Sequence, residues 1–492
     1  MTSSIPSPAA ASINDLSSDV LKRILSGNPP EILGRWTRVS RQWLNVIHDH
    51  PTYWGGLTVL TSHPSSQRCF QSRILLSHDR PISVHVGEDA ANPTVLTLIA
   101  EHMYHIQTLA LRLPASHVSL ALECLARRAP VLEHLDLEFI CDDLSASPSL
   151  RHDLFLYTAP NLMHVRLVNA VLNEQSPPCF MSAENVTIGH YNRTTQIDAV
   201  TATFPSTINL TTIGACTNVS SVTEGTWPEY LETLTQHVLS TDALDETLTA
   251  PRSVAHMLHS WTIETNNPEI VRIISGRYIG SGALSLTVEH AHADLTWVTK
   301  GGRTRRFRFR TEHASQELLT KAVRDILQPA HATRITSLVI PVPFWDKLAS
   351  ILGDEFSQQR TTLSDLVSLT LVTESWDSAL PTDGRNGFHT IPGPLQRFRT
   401  LTLQSYFPIE VNLKRLEQFV DLYLSDSSRP VDVVLDGVDP YIHYGVNYDR
   451  SIVNLVGEPE VHVRDREPET EPEYEFVDVD EMDETATDVE HV

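Results

Sequence analysis

Apolar and polar positions alternate along this chain in two different rhythms. Between Leu16 and Leu57 the apolar residues recur at helical spacing, and from Ile82 onward they recur mostly in short strand-like runs. In the first regime Val20, Leu21, Ile24 and Leu25 share one helical face. Ser17 and Asp15 are both suited to cap its start, and Asp19 meets the positive end of the helix dipole. Gly27-Asn28 followed by Pro29-Pro30 ends that helix. Ile32, Leu33, Trp36 and Val39 make a second stripe, and Ser40 can cap a third helix carrying Trp43 and Ile47, which Pro51 closes. Three short helices are therefore expected. A unit of about forty residues buries little of itself, so some of this apolar surface is expected to go to a partner.

The second regime repeats. Ile106-Gln-Thr-Leu109-Ala-Leu111, Leu132-Glu-His-Leu135-Asp-Leu137 and Leu162-Met-His-Val165-Arg-Leu167 share one form, with steps of 26 and 30 residues between middle positions. The form returns in Ile335–Ile340, Leu366–Leu371 and Phe398–Leu403 with steps of 31 and 32, and Phe419–Leu424 reads as a last copy. Helix-like segments such as Val118–Arg128 and Gln316–Leu327 lie between. A short strand plus a helix at this period predicts a leucine-rich-repeat-like α/β solenoid, since no single unit can bury its apolar face alone. An ordinary α/β or α+β domain with similar buried strands is the competing expectation. Residues 176–300, rich in Thr, Ser and Asn, fit the repeat least well, and no repeat carries a clean asparagine ladder. Within that stretch Ala283–Val288 reads as a strand, and Leu295–Val298 with Arg305–Arg310 reads as a hairpin turned by Gly301-Gly302. Gln67–Ser77 is expected to be a helix and Ile82–Val86 a strand, which makes a seam between the two regimes.

In its first regime the chain resembles an F-box. Leu16-Ser-Ser-Asp19-Val20-Leu21, then Val39-Ser40-Arg41-Gln42-Trp43, then Pro51-Thr-Tyr-Trp54 with Leu57, follow that family's order and spacing. Ser17 stands where the family usually has proline and Asp19 where it has glutamate; both still suit a helix start. The Arg73–Ile82 run, RILLSHDRPI, and the strand-and-helix units beyond it resemble F-box proteins of the fungal, basidiomycete-like type. The resemblance implies an α/β chain in five parts. These are a disordered 1–12, an F-box at 13–57, a linker helix and first strand at 58–86, a leucine-rich-repeat-like domain at 87–456, and a disordered acidic tail at 457–492. It implies that Leu16, Val20, Leu21, Ile24, Leu25, Val39, Trp43, Ile47 and Trp54 either dock the Skp adaptor subunit of a cullin–RING ubiquitin ligase or form the unit's own core. The repeat domain would hold a protein substrate. Two alternatives stand beside this: a Skp-bound scaffold with no ligase role, and an enzyme of unrecognised type whose abundance the F-box controls.

Charge narrows the partners. The net charge is −24, and from Glu458 onward 15 acidic residues face only Arg464 and Arg466, which leaves −11 on the body. Such a chain is not expected to bind nucleic acid. Five cysteines with no close pair suggest neither a disulfide framework nor a zinc site, and a reducing, intracellular setting, cytoplasmic or nuclear, is expected. The first thirteen residues lack a basic start and an apolar run, and no stretch is apolar and long enough to span a bilayer, so neither secretion nor a membrane is expected. The Asn-x-Ser/Thr sites at Asn185, Asn192, Asn209 and Asn218 then carry no weight.

Candidate chemistry is sparse. His102/His105, His256/His259 and His290/His292 are paired in sequence, but none has the His-Glu-x-x-His order of a helical zinc site, so no metal and no cofactor is expected. No phosphate-cradling glycine loop or nucleophile elbow occurs, so no enzyme is expected. One run stands out: in Thr304–Arg310, Phe307 and Phe309 take one face and Arg306, Arg308 and Arg310 the other. Three guanidinium groups in a row suit a carboxylate-rich or phosphorylated segment, or the chain's own tail. They equally suit a solvated face that keeps a sheet edge from pairing.

Overall fold

The alternating runs become neighbouring strands of a single sheet. A computed structural model of the chain describes residues 16–28, 30–54, 56–141, 147–172, 177–217, 227–239, 241, 258–277, 279, 282–289, 291–311, 315–354, 363–373, 395–424, 430–457 and 459–464. The expected disordered start and all of the acidic tail beyond Arg464 lie outside the described residues.

The amino-terminal unit holds α1 (Ser18–Leu25), α2 (Pro30–Trp36), α3 (Arg41–His48) and a single turn, α4 (Pro51–Trp54). The expected caps form: Ser17 Oγ accepts from Val20 N, and Ser40 Oγ from Trp43 N. Pro51 opens a fourth helix instead of merely closing the third, because proline is well suited to a first helical turn. Leu57 already belongs to the sheet, in β1 (Leu57–Val59). Then come α5 (Pro64–Leu76), β2 (Ile82–Val86), α6 (Pro93–His102), β3 (Ile106–Pro114), α7 (Val118–Cys124), β4 (His134–Ile140) and β5 (His164–Val168). Next are β6 (Asn185–Gln196), α8 (Ile197–Thr203), β7 (Asn209–Thr217), β8 (Thr233–His237), β9 (Ser260–Thr265) and α9 (Pro268–Arg277). A meander follows, β10 (Leu284–Val288), β11 (His292–Val298) and β12 (Thr304–Arg310), with Gly302 at φ 75° in the predicted turn. The chain then forms α10 (Gln316–Ile326), α11 (Pro329–Ala332), β13 (Ile335–Pro341), α12 (Trp345–Asp354), β14 (Ser368–Val372) and β15 (Thr400–Asn412). It ends in α13 (Leu413–Tyr423), β16 (Val431–His443), β17 (Val453–Leu455) and β18 (His462–Arg464).

The fold is thus mixed α/β, with eighteen strands among the described residues in one mostly parallel, unclosed sheet. From β1 to β9 each strand pairs in parallel with the next. β9 then pairs with β12, and the antiparallel meander leads back through β11 and β10 to β13. Parallel pairing resumes through β14, β15 and β16, against which β17 and β18 both lie.

Within residues 176–300, which fit the repeat least well in sequence, the parallel ladder still continues from β6 to β9 before the antiparallel meander. Val165 pairs with Val186, Val186 with Leu210, Leu210 with Leu234, and Leu234 with Trp261, so the ladder continues in steps of 21, 24, 24 and 27 residues. The pattern was hidden because the buried face turns polar there. Thr212, Gln236 and Arg305 are buried beside the half-buried Trp261, whose Nε1 donates to Gln236 Oε1 at 2.9 Å. This polar belt separates two apolar clusters, one running from Leu21 to Leu258 and the other from Val238 to Val453. Asn209 Nδ2 donates to Asn185 Oδ1 at 2.8 Å and Thr233 Oγ1 to Asn209 Oδ1 at 2.5 Å, a short exposed polar row across the open face. Phe419–Leu424, read as a last strand, instead forms the end of α13 and its C-cap, with Leu416, Phe419 and Val420 buried at helical spacing. The expected boundary at 456/457 precedes β18, which still pairs with Tyr441–His443.

Two arginines tie the helical unit to the sheet. Arg73 of α5 donates to the Tyr53 carbonyl and lies 4.8 Å from the Tyr53 ring centre. Arg80 donates to the His48 carbonyl at 2.6 Å, pairs with Asp49 at 3.2 Å and lies 5.5 Å from the Trp54 ring. The Arg80 carbonyl can only accept, so Nδ1 of His105 carries a proton and donates to it at 2.8 Å. His105 Nε2 lies 3.0 Å from His102 Nδ1, which donates to it while His105 is neutral.

Burial is the largest influence holding His48, His102 and His105 below the usual imidazole range; beside it, Arg80 also lowers His48. The unfolded chain therefore takes up protons that the folded chain refuses. The stability these groups contribute is fully present above about pH 6.5 and falls as the pH drops through that value. Thermal melts between about pH 7.5 and about pH 5.5 are expected to show a falling Tm, with a shallower slope in His105→Asn. Equal slopes in the two proteins would mean that the seam does not titrate.

Candidate functional site

The helical unit sorts its pattern residues by burial. Leu21, Leu25, Leu33, Trp43, Ile47 and Trp54 form its core, continuous with the sheet's first apolar cluster. Trp36 meets Trp43 edge-on at 5.6 Å, and Tyr53 meets Trp54 edge-on at 4.8 Å. By contrast Val20, Ile24 and Val39 are 44%, 41% and 49% exposed. Val20 and Ile24, four residues apart on α1, share one outer face. Leu16 is half-buried against the core, and its carbonyl accepts from Gln42 Nε2 at 2.8 Å. Of the nine residues singled out in sequence, five are thus core, three are outer surface and one lies between.

The second surface is the open face of the sheet, built by alternation. Register places Thr108, His134, His164, Asn185, Asn209, Thr233, Ser260 and Thr304 in one row across eight strands. The His134 and His164 rings stack at 4.2 Å. The next rows carry charge. Arg166 reaches Asp136 at 2.6 Å and Glu138 at 3.1 Å, and Arg112 reaches Glu138 at 3.2 Å. Sequence reading missed this network, although its signal was present. Asp136 and Arg166 occupy the same position of successive repeats, and in-register stacking must bring them together.

The arginine stripe sits where the alternation predicts: Phe307 and Phe309 are fully buried, and Arg306, Arg308 and Arg310 point to the open face. Their charge is largely answered within the sheet. Arg308 makes a bidentate pair with Asp294 at 2.7 and 2.8 Å, which holds its guanidinium above the ordinary value. Arg310 pairs with Glu264, and Arg306 has only a 3.6 Å approach to Asp294. Burial keeps the His237 imidazole below its ordinary value although Glu264 lies 3.7 Å away.

At the carboxyl ends of β3–β6 lies a depression of about 230 Å³, lined in part by Glu88, Arg112, Glu138, Asn169, His190 and Tyr191. Asn169, in the left-handed region at φ 59°, holds its rim: Nδ2 donates to the Phe139 carbonyl and Oδ1 accepts from Tyr191 N. Asparagine tolerates that conformation better than most residues.

Among the described residues, no group of three or more His, Cys, Asp or Glu side chains is placed to hold a metal ion, and no helix is long and apolar enough to cross a membrane. His256 and His290, members of two of the sequence pairs, lie outside the described residues. A scan against protein-family models finds no match to this chain, and a search of curated proteins finds none either.

The side chains of Asp294 and Glu264 are each only 7% exposed, so removing a partner strands a buried carboxylate. Arg308→Gln is expected to cost about 1–3 kcal/mol in denaturant unfolding. Arg306→Gln, which loses one long contact, should stay within about 0.5 kcal/mol of the parent. Equal losses would show that the bidentate pair contributes nothing special.

Proposed function

We propose that this chain is a non-catalytic adaptor of a Skp–cullin–F-box ubiquitin ligase. Its amino-terminal unit is read as an F-box, and its sheet with flanking helices as a leucine-rich-repeat-like solenoid. The observation that carries the reading is the sorting within the helical unit. After its own core is packed, the F-box-like pattern still leaves Val20 and Ile24 exposed on one face of α1. Exposed aliphatic residues on a small helical unit are what a docking surface requires. The sequential parallel ladder, stepping by 21 to 32 residues where neighbours follow each other directly, supports the solenoid reading.

In this reading the Skp subunit covers Val20, Ile24 and Val39 and reaches the edge of Leu16. Leu21, Leu25, Trp43, Ile47 and Trp54 support that face from beneath. The open face of the sheet holds a protein substrate, with Arg306 the stripe member least engaged with the sheet's own acids. Catalysis is then proximity. Substrate lysines are held at high effective concentration near a thioester formed on another subunit. The linkage through Arg73 and Arg80 suits that role, because proximity is lost if the two surfaces move independently.

Co-expression with a Skp subunit tests this. A stoichiometric pair is expected from the parent chain. Val20→Asp with Ile24→Asp should abolish the pair while leaving the melting temperature close to the parent's, because both side chains are exposed. Leu21→Ala, a core truncation, should instead cost about 2–5 kcal/mol of stability. A folded parent chain that ignores the Skp subunit would end the reading, and a pair that never recruits a cullin would favour a scaffold.

A further inference from the structure

The longest strands carry a device that the adaptor reading does not use. Between β15 and β16 the register jumps from Gln404↔Asp436 to Ile409↔Val438, so four residues, Ser405 to Pro408, stand opposite the single Gly437. Between β6 and β7 the same jump occurs, from Gly189↔Ile213 to Thr194↔Ala215, with residues 190–193 opposite Gly214. Both glycines have positive φ, 69° and 83°. In both places the bulged strand runs directly into a helix, α13 or α8. The same build in both halves of the sheet marks the projection as a feature of the architecture; bulges commonly serve to re-aim side chains.

In the second copy the bulge lifts aromatic residues into solvent: Tyr406 is 74% exposed and Phe407 59%. The projection is held from below. Ser405 is buried, its Oγ accepts from Phe407 N, and a Cβ on Gly437 would come within 2.4 Å of the Ser405 carbonyl oxygen. The charged side chains of the two strands themselves are all acidic. β15 and β16 carry Glu410, Asp432, Asp436 and Asp439 and neither lysine nor arginine. Asp436 and Asp439 are exposed on either side of Gly437-Val438. Along the chain Arg399 precedes β15 and Lys414 follows it, Lys414 being held by Glu417 at 2.6 Å.

We propose that the β15–β16 bulge anchors a docking surface for a lysine- or arginine-bearing peptide segment, with the cation over the Tyr406 and Phe407 rings and within reach of Asp436 and Asp439. A cation over an aromatic face is attracted by the ring quadrupole, and the carboxylates add the long-range attraction that steers it there. Projecting aromatic side chains are the usual anchors of protein interfaces. The chain's charge of −24 works in the same direction. The adaptor reading enters only if the bound segment is called a substrate; binding itself needs no ligase subunit, so the two ideas fail separately.

The test uses the full-length chain and fluorescence anisotropy with a fluorescein-labelled peptide of four Gly-Arg repeats, alongside one of four Gly-Glu repeats. Saturable binding of the arginine peptide alone is expected. Tyr406→Ala with Phe407→Ala should weaken it at least about tenfold, the scale of a lost cation–π anchor. Asp436→Asn with Asp439→Asn should weaken it and flatten its dependence on salt. Tyr230→Ala, at another exposed aromatic residue, should change nothing, and all variants should melt with the parent. If the chain does not bind the peptide, or if both double variants bind it as the parent does, the proposal is overturned; the second result would assign the binding to other acids, such as those beyond Glu458.

Discussion

Lateral hydrogen bonding between parallel strands is the interaction on which the rest of this molecule depends. A strand in such a ladder satisfies its N–H and C=O groups only through its neighbours, so no strand is complete alone. The same ladder sets register. Once Leu109 pairs with Leu135 and Leu135 with Val165, Leu109, Leu111, Leu135, Leu137, Val165 and Leu167 enter the core while Ala110, Arg112, His134, Asp136, His164 and Arg166 take the opposite face. Both the apolar clusters and the charged rows of the open face follow from that one condition.

Register also explains how the sheet accommodates its polar belt. Thr212, Gln236 and Arg305 occupy interior positions, where an unpartnered polar group is costly. Two of the three are answered locally: Gln236 accepts from Trp261, and Arg305 donates to the Thr304 carbonyl at 2.8 Å and reaches the Leu258 carbonyl at 3.4 Å, whereas Thr212 Oγ1 is buried without a hydrogen-bond partner. It falls where the ladder switches from β9 to the antiparallel meander. A change of strand order and a change in the character of the core therefore coincide.

Electrostatics on the open face is mostly internal. Arg166 serves Asp136 and Glu138, and Arg308 and Arg310 serve Asp294 and Glu264. Cross-strand pairing of opposite charges stabilises register without leaving a strong field for ligands. Arg306 is the stripe member least engaged there, and two further surfaces have chemistry left over. They are the aliphatic face of α1 and the aromatic bulge among the acids of β15 and β16, one at each end of the described chain.

Sequence determined the local elements, because periodicity and capping act over a few residues. The spacing of Leu21 and Leu25, the caps at Ser17 and Ser40, the two-faced Thr304–Arg310 strand and the glycine turn before it were all legible. So were the strands at Ile106, Leu132, Leu162, Ile335, Leu366 and Phe398, two starting where read and four starting two residues later. Tertiary structure alone decided which apolar residues were core. Val20 and Leu21 are adjacent and both aliphatic, yet only packing against α3 and the sheet separates a surface valine from a buried leucine. It alone decided that the Thr- and Asn-rich middle is ladder, since backbone pairing does not require apolar side chains. It alone revealed the carboxylates beside the arginine stripe: Glu264 and Asp294 come from different strands, and their nearness to Arg310 and Arg308 exists only once the strands align.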